Sequence, residues 1–158
     1  MIVAKEMNPK DLIGSAKVGL HNVPGRVILE MGLGMQDGGL KYGTHNYRAV
    51  GVRASVYFDA AMRHLWGWWE GEDFDPDSKA RLSHVTKTLT SLAVLRDSML
   101  SGNWIDDRPL RIPGGAGILE LNAEAAKIIA QYPNPVVPYL EALRESYGLA
   151  PLEVIDGR

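Results

Sequence analysis

Residues 55–102 read SVYFDAAMRHLWGWWEGEDFDPDSKARLSHVTKTLTSLAVLRDSMLSG, and the fold is decided by this stretch. Two segments of helical period flank a short acidic connection, Glu70-Gly71-Glu72-Asp73-Phe74-Asp75-Pro76-Asp77. The first predicts a helix capped by Ser55 and running to about Glu70. The second predicts a helix from Asp77-Ser78 to just before Gly102, its free amides satisfied by Asp77 or Ser78. A short turn makes such helices antiparallel neighbours.

At about 100° per residue, with Asp59 at zero, Arg63 falls near 40°, Trp66 near −20° and Glu70 near 20°. Two carboxylates, an arginine and a tryptophan therefore share one face. The same stripe also fits a solvated face, with an Asp59–Arg63 pair worth a few tenths of a kcal/mol. On the second helix, with His84 at zero, Thr88 lies near 40°, Ser91 near −20° and Lys87 near −60°, while Val85, Leu89 and Leu92 cluster about 80–140° away as a core face. The polar stripe borders the apolar one, which predicts half-burial between helices and convergence of Asp59, Glu70, the turn carboxylates and His84. Five carboxylates lie from Glu70 to Asp77. Such crowding is unfavourable unless solvent or a cation relieves it. Oxygen-rich clusters suit Mg²⁺ or Mn²⁺, and Glu70/Asp73 and Glu72/Asp75 each carry E-x-x-D spacing. A plain solvated loop fits the same residues; an EF-hand fits poorly, because its glycine and position-12 glutamate are missing.

Outward from this pair, residues 1–22 read as an arm with a turn at Asn8-Pro9-Lys10-Asp11. A helix is predicted from Pro24 to about Gln36, with Val27, Met31 and Met35 at helical spacing and Gly38-Gly39 as its stop. Residues 41–48 read as an ordered polar and aromatic loop. Residues 103–116 are a Pro/Gly loop. Asn122 is placed to cap a fourth helix ending near Tyr132, and Pro138 opens a fifth stopped by Gly148. No strand-period run is present. The expectation is an all-α bundle of about four or five helices in a single domain, which 158 residues suits.

Composition narrows the chemistry. With no cysteine there is no disulfide framework, thiolate zinc site or cysteine nucleophile. A net charge of −2 without a basic stripe argues against nucleic acid as a direct partner. No apolar run approaches the roughly 20 residues of a membrane span, and no signal-peptide core or lipidation motif is seen, so a cytoplasmic location is expected. The P-loop, the His-Asp dipeptide, the dinucleotide fingerprint and G-x-S-x-G are all missing. His21 and His45 have no matching partners.

Several segments in order carry a resemblance. Asn8-Pro9-Lys10-Asp11-Leu12-Ile13-Gly14-Ser15, Lys41-Tyr42-Gly43 with Asn46 and Arg48, Arg63-His64-Leu65, Trp69 through Ser78, His84 and Asp106-Asp107-Arg108-Pro109 resemble the phage dATP/dGTP diphosphohydrolase family. The resemblance spans roughly residues 8–110 and leaves 111–158 as a C-terminal helical extension. It implies a MazG-like all-α pyrophosphohydrolase, dimeric or tetrameric, that uses Mg²⁺ or Mn²⁺ to split dGTP or dATP into monophosphate and pyrophosphate. The MazZ-like members it implies supply dGMP for 2-aminoadenine nucleotide synthesis in a phage, within the host cytoplasm. The chain departs from the usual E-x-x-E and E-x-x-D helix pair: Asp59 has Met62 three residues on, and His84 has Arg81 three before. Lys87 stands where many relatives carry a second histidine, and Ser91 where many carry asparagine. The expected metal ligands are therefore Asp59, Glu72, Asp75 and His84, with Glu70 and Asp73 at or beside the metal; Glu70, Glu72 and His84 are the expected catalytic groups, Glu70 orienting water. Arg63 and Lys87, with Lys10, Lys41 and Arg108 from loops, are expected on phosphate. Tyr42, Asn46 and Trp66 are expected at the purine, although Tyr42 and Trp66 also fit core aromatics. Two rivals stay open: a non-enzymatic helical phage interaction protein, and an enzyme releasing intact triphosphate.

Overall fold

The computed structural model describes residues 8–114 and 117–150. The chain divides into two compact units, residues 1–108 and 109–158. In the first unit, α1 (Pro9–Ser15) starts where a turn was expected. Pro9 suits the first helical position, and the Asn8 side chain accepts from the Lys10 amide at 2.9 Å, so Asn8-Pro9 caps a helix.

Helix α2 (Gly25–Tyr42) runs six residues past its expected end and straight through Gly38-Gly39. Packing outweighs the propensity cost of its glycines. Gly34 is buried and lies so close to Thr90 that no Cβ fits between them. The helix stops at Gly43, whose φ of +93° favours glycine. Part of the expected loop is thus helical: Lys41 and Tyr42 close α2, and α3 (Asn46–Val50) follows.

Helix α4 (Ala54–Trp69) and helix α5 (His84–Leu100) are the predicted antiparallel pair, with shifted caps. Ser55 does not cap α4. Its amide and hydroxyl both donate to Asp107, at 2.8 and 2.5 Å, so a distant carboxylate satisfies that helix end. Helix α5 begins at His84 rather than at Asp77-Ser78, and Ser83 is its cap, accepting from the Thr86 amide at 3.2 Å. The expected helical residues 77–82 belong instead to a folded loop. Its backbone pairs Asp75 N–H with the Leu82 carbonyl at 3.0 Å and His84 N–H with the Asp73 carbonyl at 3.1 Å.

Helix α5 packs along both α4 and α2. Its core face is not the expected Val85, Leu89 and Leu92, all of which are exposed; His84, Thr86, Thr88, Val94 and Ser98 are buried instead. Polar side chains are tolerated there because their groups are mostly satisfied: the Thr88 hydroxyl reaches the His84 and Ala61 carbonyls at 3.0 and 3.3 Å. Tyr47, Val52 and Val94 form a small core with Met35, Tyr57, Leu95 and Trp104. A two-residue parallel ladder, β1 (Val52–Arg53) with β2 (Trp104–Ile105), ties the start of α4 to the chain after α5. In the second unit, α6 (Ile118–Ala130) has Gly117 rather than Asn122 at its cap position, and a 3₁₀ segment, Glu141–Tyr147, is closed by Gly148. The described residues are mostly helical, the all-α class expected.

Candidate active site

Two constellations lie on the first unit. The first is a chain of side chains between α4, the acidic loop and α5. His64 Nδ1 lies 2.9 Å from His84 Nδ1, and His84 Nε2 lies 3.0 Å from Glu72 Oε2. An ionised carboxylate only accepts. With Glu72 ionised, His84 therefore donates from Nε2, and a neutral His84 accepts the His64 Nδ1–H. His84 is buried, whereas the Glu72 carboxylate is half exposed. Gly67 makes room for the pair: a Cβ there would sit 3.2 Å from His84 Nε2 and 3.4 Å from Glu72 Oε2. Burial holds the His64 pKa below its ordinary value, with the Asp75 charge opposing.

The second constellation is a cavity of about 540 Å³ between the C-terminal half of α2, α3 and α5. Its size suits a small-molecule ligand. Lys41, Tyr42, Asn46 and Lys87 line it, joined by Asp37 and Tyr57. Asp37 Oδ2 accepts from Lys41 Nζ at 2.7 Å and lies 3.5 Å from Lys87 Nζ; Asp75 Oδ2 lies 3.4 Å from Lys87 on the other side. The Lys41 hydrogen bond lowers the Asp37 pKa and raises that of Lys41. Burial raises the Tyr57 pKa, which keeps its phenol neutral.

The sequence-predicted residues thus divide. Lys41, Lys87, Tyr42 and Asn46 are brought together at the cavity, and Glu72 and His84 are paired. The expected convergence of Asp59, Glu70, Glu72, Asp73, Asp75 and His84 does not occur. Among the described residues, no three His, Asp or Glu side chains are placed to hold a metal ion. Helix geometry explains the dispersal. His84 meets α4 at His64 and Gly67, while Asp59 and Glu70 are separated by roughly 16 Å of helix axis. Asp59 and Glu70 are exposed and make no side-chain hydrogen bond or ion pair among the described residues; Asp73 contributes its backbone carbonyl. Asp75 is turned inward, where it accepts from the Asp77 amide at 3.1 Å and pairs with Lys87.

Four further candidates lie away from the cavity. Trp66 is exposed on the outer face of α4 and lies outside the cavity. Arg108 is committed to Asp106, through two hydrogen bonds of 2.7 Å, and stacks over Trp104. Lys10 lies on α1 and Arg63 on the exposed side of α4, and neither lines the cavity. Sequence reasoning missed His64 and Asp37 as site residues. His64 falls about 140° from Asp59 on the helical wheel, off the stripe chosen there. Its signal was the small residue Gly67 one turn on, which leaves space for a second ring. Asp37 lay beyond the expected end of α2.

Residues 7–108, well over half of the chain, match the family described as dATP/dGTP diphosphohydrolase, N-terminal. No curated protein and no solved structure is significantly similar to the chain.

Proposed function

Because the chain belongs to the dATP/dGTP diphosphohydrolase family, we propose that it hydrolyses deoxypurine triphosphates to the monophosphate and pyrophosphate. One observation carries the reading: a cavity inside the family-matched span presents two ammonium groups beside a tyrosine and an asparagine. Lys41 and Lys87 serve the phosphates as point charges. Tyr42 stacks on the purine, and the Asn46 amide, which both donates and accepts, reads its edge. Glu72, with one carboxylate oxygen held by His84, does not line the cavity, and no step on the bound nucleotide is assigned to it.

Mg²⁺ or Mn²⁺ dependence is part of the proposal, with the ion entering as the metal complex of the nucleotide. The residues present do not fit a preformed metal site, and no step is assigned to one. The support is charge. Lys41 and Lys87 are already paired with Asp37 in the wall and Asp75 outside it, so they cannot by themselves neutralise a polyanion. Assembly as a homodimer or homotetramer, cytoplasmic action and a role in supplying dGMP for 2-aminoadenine nucleotides in a phage-infected cell belong to the same proposal; for the last two the support is the motif resemblance alone.

The test is incubation with each dNTP and Mg²⁺ or Mn²⁺ in ¹⁸O-labelled water, read by phosphorus NMR. Label in dGMP or dAMP, with unlabelled pyrophosphate, is the expected result and places attack on the α-phosphorus. Label in orthophosphate, or intact triphosphate with free deoxynucleoside, overturns it. No turnover of any dNTP returns the chain to the class of helical interaction proteins.

A further inference from the structure

We propose that Asp37 is a positioning residue for the phosphate end of the cavity, a role that rests on the nucleotide reading above. Lys41 and Lys87 come from different elements, the last turn of α2 and the first turn of α5. Nothing in either helix alone aims both ammonium groups at one place. Asp37 does so: a single oxygen, Oδ2, takes Lys41 at 2.7 Å and Lys87 at 3.5 Å. All three residues line the cavity. The surroundings make Asp37 the deciding partner. Lys87 is held on its far side by Asp75, whose side chain is nearly buried and does not line the cavity. Without the Asp37 carboxylate, Lys87 is drawn wholly to Asp75 and away from the ligand. Lys41, whose side chain is more than a third exposed, is released into solvent.

The opposite expectation also has a physical basis. A carboxylate beside a polyanion repels it, so removing Asp37 would tighten binding if repulsion were its main effect. The sign of the change therefore decides. Binding of inorganic triphosphate in Mg²⁺ buffer is measured by calorimetry for the wild type, Asp37→Asn and Asp37→Glu, alongside steady-state kinetics with dGTP. Asp37→Asn is expected to weaken triphosphate binding by about tenfold, the order of one charge-assisted hydrogen bond. It raises KM for dGTP with little change in kcat, and Asp37→Glu recovers part of the loss. A thermal melt of each variant separates this effect from unfolding. Unchanged or tighter triphosphate binding by Asp37→Asn overturns the assignment and leaves the proposed activity untouched, and so does a wild type that fails to bind triphosphate. If the wild type turns over no dNTP yet Asp37→Asn still loses triphosphate affinity, the hydrolase reading fails and the role of Asp37 stands.

Discussion

At the residue scale, the histidine pair shows how burial sets chemistry. His84 is closed in by α4 and the acidic loop, and it survives there because both ring nitrogens have partners, His64 and Glu72. His64 is only partly enclosed, yet desolvation dominates its environment and disfavours the imidazolium. The sign of the consequence follows from linkage. Below the unfolded value of about 6.5, the unfolded chain takes up a proton that folded His64 resists. Stability from this group is therefore unaffected at higher pH. It falls as pH drops through about 6.5 and levels off below the lowered folded pKa. Urea denaturation across pH 7.5 to 5.5 should show wild type losing more stability than His64→Phe over that window. Parallel losses in the two proteins would mean that His64 is not the group responsible. His64 was hidden in the sequence for a simple reason. A ring–ring contact across twenty residues depends on where α5 starts, and the pairing of Phe74 with Ser83, with Arg81 in the left-handed region at φ +49°, holds that start at His84 rather than Asp77.

At the element scale, the α4–α5 pair and its acidic connection were legible because the periodicity of 55–70 and 84–100 is long and the glycine and proline between them are strong breakers. What the pattern could not supply was the local competition at each end. Ser55 looks like a cap, but Arg53 occupies the cap position and a carboxylate from residue 107 reaches the first turn. The exposed side of α5 is the more instructive failure. Val85, Leu89 and Leu92 carry the apolar pattern, yet the chain's own core takes the threonine and serine side, where small side chains admit close neighbours. The α2–α5 crossing depends on the same device from the other helix. Gly34 faces Thr90, whose hydroxyl already donates to the Thr86 carbonyl at 2.8 Å. Gly34→Ala should gain helix propensity of roughly 1 kcal/mol and lose more to overpacking, which typically costs about 1–3 kcal/mol. A net loss in chemical denaturation is expected, together with its relief in the double variant Gly34→Ala, Thr90→Ala. A Gly34→Ala protein more stable than wild type would show that the two helices separate freely at this crossing.

At the scale of the whole molecule, the described residues bury few large apolar side chains. Only Tyr47, Val52, Leu82 and Val94, with Ala54 and Ala61, fall below the surface. A chain of this length ordinarily buries much more. Meanwhile Phe58, Trp66 and Trp69 on α4, Leu29 and Leu33 on α2, and Val85, Leu89 and Leu92 on α5 remain exposed. No described helix is long and apolar enough to cross a membrane, so a bilayer-spanning helix among these residues is not the cover. Apolar helix faces of this extent mark interaction surfaces, and the cover that needs no second gene product is another copy of the chain. In an isologous dimer each copy would offer the same stripe, and each contact away from the axis would occur twice. The prediction is that size-exclusion chromatography with light scattering gives a dimer or tetramer whose Tm rises with protein concentration. Leu89→Glu combined with Leu92→Glu should shift it toward monomer and lower Tm, because two carboxylates would then be buried unpaired at the contact. The cavity lies on the opposite margin of α5, lined by Lys87, Thr90, Ser91 and Val94, so triphosphate binding by the charged variant tells a displaced surface from a collapsed fold. A wild type that stays monomeric across the concentration series, with a Tm independent of concentration, would leave the exposed stripe to a different partner and remove self-association from the account.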